Sequence, residues 1–295
     1  MFGLYFGNYL VEKNKISGAQ LNDLMQIQQN TGAKLGTIAI TEKLLTPKQA
    51  EEINSIQKSQ DRRFGDIAIE KGYLLREEVN YLLNMQGNSY LRLVQLIVEH
   101  NILTMEEIEQ CLEEYKKEYN LSEQDLEALK TDDPDRIIPV FARVDAPFGG
   151  DCIHMAIRNV IRFIHKDTIL KKAYKVKDYA FSAMASQQMS GDHNIFVGFA
   201  GNDEALLAIA NPFAKENFHK LDEDAFDSVC EFINCTNGLY ASRLSQEDIQ
   251  IDMSPPRYYV DKKLSTEGDI YVVPLIIHGE QADVVVAVND AVVFN

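Results

Sequence analysis

Apolar residues fall into two different rhythms along this 295-residue chain. Through about residue 130 they recur at helical spacing, as at Ala50, Ile53 and Ile56 or at Val79, Leu82 and Leu83. That spacing predicts amphipathic helices and little else. Beyond residue 137 helical stretches alternate with strand-like ones. Residues 137–144 read as a first strand or a lead-in to one. Residues 151–170 carry Ile153, Ala156, Ile157, Val160, Ile161 and Ile164 on one side and predict a helix. Residues 179–188 and 194–200 alternate as strands do and pair across Met189-Ser-Gly-Asp-His. A short helix at 204–210 and a longer one at 222–244 follow. Strands are then expected at 249–253, 258–260, 269–277 and 282–288, with a turn at His278-Gly279-Glu280. Helices against an antiparallel sheet make this half an α+β layer.

The helical half repeats itself. Segments 5–28, 34–57, 63–86 and 92–115 start 29 residues apart and align without gaps. Their third position is Gly7, Gly36 and Gly65, with Val94 in the last. Their final position is Gln28, Gln57 and Gln86, with Tyr115 in the last. Ile16, Leu45, Leu74 and Leu103 occupy one place in each. The expected unit is a short helix, a turn and a longer helix. Ser17, Thr46 and Thr104 supply helix-start signals, Glu107 completes a capping box with Thr104, and Pro47 stands at a first helical position. One such hairpin cannot cover its own apolar stripe, so neighbours must stack. Residues 106–130 read as one long exit helix, and Pro134 among acidic residues at 131–136 as a solvated connector. The domains expected are therefore 1–130, an all-α helical-hairpin repeat array, and 137–295.

Composition narrows the function classes. With 29 basic and 45 acidic residues the formal charge is −16, which sets the surface against phosphate backbones and anionic lipid. Nucleic acid and membrane insertion are not expected as partners. The longest apolar run is strand-length, far short of the ~20 residues of a membrane helix, and the first residues lack a signal peptide's basic start and cleavage pattern. Cys111, Cys152, Cys230 and Cys235 form no CxxC pair. These features predict a reduced, cytoplasmic protein. His154, His165, His193, His219 and His278 show no ligand spacing, so no metal is expected. Ser190-Gly-Asp-His193 reads as a hairpin turn. P-loop, GxSxG and dinucleotide fingerprints are lacking.

The helix at 222–244 holds the most informative spacing. Val229, Phe232, Ile233, Thr236, Leu239 and Tyr240 form its apolar side, while Asp227, Glu231, Asn234 and Gly238 form one polar stripe. Pro255-Pro256 follows Asn234 after twenty residues, and a strand hairpin follows that. Glu231-x-x-Asn234 with Pro255 at this distance resembles the CheX branch of the CheC/CheX/FliY chemotaxis phosphatases, over approximately residues 151–290. The resemblance implies hydrolysis of the aspartyl phosphate of a CheY-type response regulator. Asn234 would orient the water and Glu231 would dock the regulator's lysine. Asp227, Cys235 and Gly238 would meet the partner, Mg²⁺ would reside in the regulator rather than in this chain, and the domain would form a homodimer. Where two-site members repeat the motif, Met155 and Arg158 stand, which leaves one site. A different class stays open beside this one: a non-enzymatic signalling adaptor.

Segments 34–57 and 63–86, with the spacer 58–62, resemble the MshEN-type domain of type II secretion ATPases. That resemblance implies cyclic di-GMP as ligand, held by Lys34, Gln57, Arg63 and Asp66, with glycines giving backbone access to guanine. Lys34 replaces an Arg of that pattern, and Lys43 stands where Gly72 stands in the next segment.

Overall fold

The structure, a computed structural model, describes residues 1–28, 33–60 and 62–295. Its contacts divide the chain into two compact units, Met1–Asp133 and Pro134–Asn295.

The first unit is helical: α1 (Phe2–Glu12), α2 (Gly18–Gln28), α3 (Leu35–Thr41), α4 (Pro47–Gln60), α5 (Phe64–Glu70), α6 (Arg76–Asn84), α7 (Ser89–Glu99), α8 (Met105–Glu118) and α9 (Glu123–Lys130). Each short helix ends the same way. Asn14, Lys43, Gly72 and Asn101 follow the C-caps of α1, α3, α5 and α7 with φ of 55°, 57°, 69° and 52°, the left-handed turn that frees the chain to reverse. Three of the four longer helices, α2, α4 and α8, start alike too, while α6 follows the N-cap Leu75, whose N–H alone is capped, by Glu78. Ser17 and Gln20, Thr46 and Gln49, and Thr104 and Glu107 exchange side-chain and backbone hydrogen bonds as reciprocal caps. Phe2, Phe6, Tyr9, Tyr90 and Tyr115 form a buried aromatic core, with Tyr9 and Tyr115 edge-to-face at 5.1 Å.

Three expectations up to residue 144 are corrected. The exit helix is two helices, because Asn120 turns left-handed (φ 46°) and Ser122 caps α9 through Asp125. The connector is not simply solvated. The Asp132 carboxylate accepts the Phe2 and Ser89 backbone N–H groups at 2.9 and 2.5 Å and the Ser89 hydroxyl at 2.8 Å. Residues 137–144 are no strand: α10 (Pro134–Phe141) spans most of them, with Pro134 in its first turn where a missing N–H costs nothing. In the spacer 58–62, Asp61 lies outside the described residues.

In the second unit α10 leads to α11 (Gly149–Asn159), which ends in a π-helical turn, Val160–Ile164, so the helix expected to reach residue 170 stops short. There follow β1 (Ile169–Leu170), β2 (Tyr174–Gly191), β3 (Ile195–Gly201), α12 (Asp203–Ala214), α13 (Glu223–Ser245), β4 (Ile251–Met253), β5 (Arg257–Ile277), β6 (Glu280–Val288) and β7 (Val292–Phe294). The sheet is antiparallel, in the order β1-β5-β6-β3-β2-β4, with β7 on β5 and a further β5–β2 pairing. Two strands expected at 258–260 and 269–277 are one. Charged residues 261–263 extend it because the backbone ladder to β2, Phe181↔Lys262 through Tyr174↔Val272, needs no apolar side chains. Leu264 alone turns into the core there, beside Met184, Ile270 and Val285. His278 and Gly279, both at positive φ, close the β5–β6 hairpin.

Candidate functional site

Helix α13 is built to bury one side. Asp222 caps it, accepting the Ala225 N–H, and Val229, Phe232, Ile233 and Tyr240 are buried. Phe232 meets Phe199 of β3 at 5.4 Å, and the Tyr240 hydroxyl donates to the Phe148 carbonyl at 2.9 Å. The outward strip carries Asp227, Glu231 and Cys235, all exposed, with Asn234 and Gly238 half-buried. One apolar assignment is corrected. Leu239 is 49% exposed and Asn237 is fully buried in its stead.

Asn237 is inside because it has a partner there. Gln187 of β2, 2% exposed, accepts the Asn237 carboxamide N–H on Oε1 at 2.9 Å. The Nε2 of Gln187 donates to Asn234 Oδ1 at 2.9 Å and to the Ser254 carbonyl at 2.8 Å. This set fixes the amide orientations by chemistry. A backbone carbonyl only accepts, so the Gln187 atom facing Ser254 is its NH2, and Asn234 must meet that NH2 with its oxygen. The Asn234 Nδ2 is left pointing away from the network, without a hydrogen-bond partner among the described residues. Ser254 precedes Pro255, which confines it to extended backbone, and its own N–H donates to Gln188 at 2.9 Å. The Pro-Pro segment between β4 and β5 thereby aims a carbonyl at Gln187.

Glu231 stands one turn before Asn234 on the same face. It accepts a weak hydrogen bond from Cys235 Sγ at 3.6 Å. Burial, and then the Glu231 carboxylate, push the Cys235 thiol above its ordinary pKa, which keeps it protonated and a poor nucleophile. Beside the strip lies a groove of about 660 Å³ lined by Asp227, Cys230, Glu231, Pro256, Arg257, Tyr258 and Tyr259. Tyr258 stacks on Phe226 at 4.3 Å. Gly238 keeps the helix surface low: a Cβ there would sit 3.7 Å from the methyl of Met253. A second hollow of about 550 Å³ near Arg143, His154, Lys175 and Tyr271 has most of its polar groups already engaged. Lys175 pairs with Asp145 and Asp269, the Tyr271 hydroxyl donates to Asp145, and His154 bonds the Ala142 carbonyl.

Gln187 and Ser254 escaped the sequence reading. The one signal was the polar run Ser186-Gln187-Gln188 closing the expected strand at 179–188, whose other residues are apolar, aromatic or small. In the first unit Lys34 and Arg63 are exposed N-cap residues of α3 and α5, Asp66 is exposed in the first turn of α5, and Gln57 is half-buried on α4. The Lys34 ammonium is paired with Glu99 at 2.5 Å. The described cavities of this unit are lined by other residues, with Glu42, Glu109, Glu113, Glu123 and Glu127 in the larger. Gly36 and Gly65 stand where the short helices α3 and α5 pack. Both are buried, and a Cβ would strike Phe64 at 3.1 Å from Gly36 and Val79 at 2.6 Å from Gly65, so they serve close helix packing.

Comparison with known proteins bears on the second unit. Residues 183–284, from β2 through most of β6, match the family model of chemotaxis phosphatase CheX; this stretch is a CheX-like domain. Among solved structures, the chain is similar to CheX of Vibrio vulnificus (18% identity, 48% of this chain and 99% of that one, TM-score 0.42). It is similar to CheX of Desulfovibrio desulfuricans (13%, 46% and 95%, TM-score 0.41). A third likeness is to the CheX–CheY–BeF3–Mg²⁺ complex of Borrelia burgdorferi (14%, 47% and 95%, TM-score 0.37). No curated protein matches the chain. Among the described residues, no helix is long and apolar enough to cross a membrane.

Proposed function

We propose that the chain hydrolyses the aspartyl phosphate of a CheY-type response regulator through the outward strip of α13. The match of residues 183–284 to a phosphatase family supports the reading. The observation that carries it is a carboxamide held at one end and open at the other, one turn from an exposed carboxylate.

An acyl phosphate is already activated, and the regulator's own Mg²⁺ offsets its charge. What remains is to hold a water in line. The water oxygen bonds to phosphorus as the bond from phosphorus to the aspartyl oxygen breaks, giving inorganic phosphate and the free carboxylate. No group of this chain needs to form a covalent intermediate. The Asn234 amide suits the position because it orients water by hydrogen bonding without setting a negative charge beside phosphoryl oxygens. Glu231 pairs with a lysine of the regulator and sets the depth at which Asn234 enters. Removing one side of such a pair costs about 2–5 kcal/mol. Asp227 adds to the negative edge of the groove, and the small Gly238 and Cys235 let the partner approach.

Phosphate release from the phosphorylated regulator tests this. Asn234→Ala is expected to lower kcat about 10²-fold, the scale of losing one aligned hydrogen-bonding group in a reaction site, and Glu231→Ala to raise KM chiefly. Equal rates for wild type and Asn234→Ala would refute the assignment.

A further inference from the structure

Asn234 is half-buried on the outward strip, yet the group that orients it is fully buried, and that carries a consequence for the reaction proposed above, on which this inference rests. Gln187 is reached by no partner: it is 2% exposed, on β2, beneath α13. Its three hydrogen bonds run to Asn234 Oδ1, the Ser254 carbonyl and Asn237 Nδ2 at 2.9, 2.8 and 2.9 Å. Burying a polar side chain is unfavourable unless its bonds are made, and a strand facing a helix has no need of a glutamine for packing. Asn237 sits equally deep, at 0% exposure, and its Oδ1 has no partner. The arrangement therefore tolerates one orphaned acceptor while satisfying every contact of Gln187.

We infer that Gln187 is the positioning residue for catalysis, selecting which end of the Asn234 amide meets the phosphoryl group. With Oδ1 held inward by an NH2 that the Ser254 carbonyl keeps in place, Asn234 presents its N–H donors outward. It would thus grip the attacking water by the water's oxygen, or a phosphoryl oxygen directly, as a donor. A free Asn would sample both ends and rotate about its side-chain bonds, and misplacement on the order of 1 Å suffices to cost about 10² in rate.

Two substitutions separate this role from simple support of the fold. Gln187→Met keeps length and bulk but removes all three bonds. Gln187→Glu keeps the shape and accepts from the Asn234 Nδ2, reversing that amide and opposing the Ser254 carbonyl. Each is expected to lower kcat ten- to a hundredfold with KM within about twofold of wild type, since Gln187 never touches the regulator. In an Asn234→Ala background, Gln187→Met is expected to lower kcat no further, because there is no amide left to aim. An additional loss in that background of the same size as in wild type would overturn the role. Nuclear magnetic resonance of the Asn234 side-chain NH2 supplies a readout without activity. The pair is expected to be rigid in wild type and mobile in Gln187→Met. A rigid pair in both proteins would overturn the inference, whereas a mobile change with a wild type that releases no phosphate would leave Gln187's hold standing and remove the phosphatase reading alone.

Discussion

Asn234 and Cys235 are chain neighbours that the helix sends into different chemistry. The amide is clamped from below by Gln187; the thiol lies outside, donating to Glu231. Because burial and the Glu231 charge both raise the Cys235 pKa, alkylation at pH 8 is expected to run slower than for an open thiol. Glu231→Gln, which deletes the charge and keeps the shape, is expected to speed it. The other three cysteines are buried, so total incorporation of label reports Cys235. A rate unchanged by Glu231→Gln would show that the carboxylate does not face the thiol in solution. At this scale the sequence was informative about the exposed strip, since Asp227, Glu231, Asn234 and Gly238 follow helical periodicity with no help from the rest of the fold. It misplaced Leu239 and Asn237. Hydropathy sends a leucine inward and an asparagine outward, and the reversal depends on a glutamine fifty positions away.

At the scale of elements, turns and caps were readable because their causes are local. The alternation of Ser17, Thr46 and Thr104 with glycine-like turns falls out of the residue types themselves. Lys43 marks where local rules are strained: it holds φ 57° where Gly72 holds 69°, and a side chain there costs about 1–2 kcal/mol. Lys43→Gly is expected to raise the stability of the first unit by about 1 kcal/mol after the added chain entropy is subtracted, measured as an upward shift in the urea midpoint; a lower midpoint would contradict the assignment. Asp132 illustrates the converse, an acidic residue of an expected linker drawn into structure by α1 and α7. Burial works to raise its pKa, but the amino group of Met1 and the Ser89 hydrogen bonds outweigh this and hold it below the ordinary carboxylate value. Its contribution to stability is therefore full above the unfolded-state value near 3.8 and is lost as pH falls through the lower folded-state value. Asp132→Asn is expected to cost about 1–3 kcal/mol at neutral pH and to flatten the acid limb of the unfolding curve of the first unit. An acid limb as steep as that of wild type would refute it. Long-range pairing was the harder part. β2 and β5 extend well past their apolar residues because each supplies the other's backbone partners, and no window of a single sequence records that.

For the whole molecule, the chain joins an all-helical unit to a unit with a CheX-like domain, and the candidate chemistry lies in the second. The overall charge of −16 and the acidic edge formed by Asp227 and Glu231 favour a partner that offers a cation at the point of contact. The change of rhythm near residue 130 showed that two kinds of structure follow one another, while the polar core beneath α13 became visible only when β2 and α13 were brought together. The most direct measurement of the central claim is the rate at which phosphate leaves a phosphorylated CheY-type regulator when the full chain is added, with Asn234→Ala in parallel. Acceleration by wild type that falls about 10²-fold in the variant is the predicted result. A regulator that loses phosphate at its own intrinsic rate in the presence of either protein would contradict it.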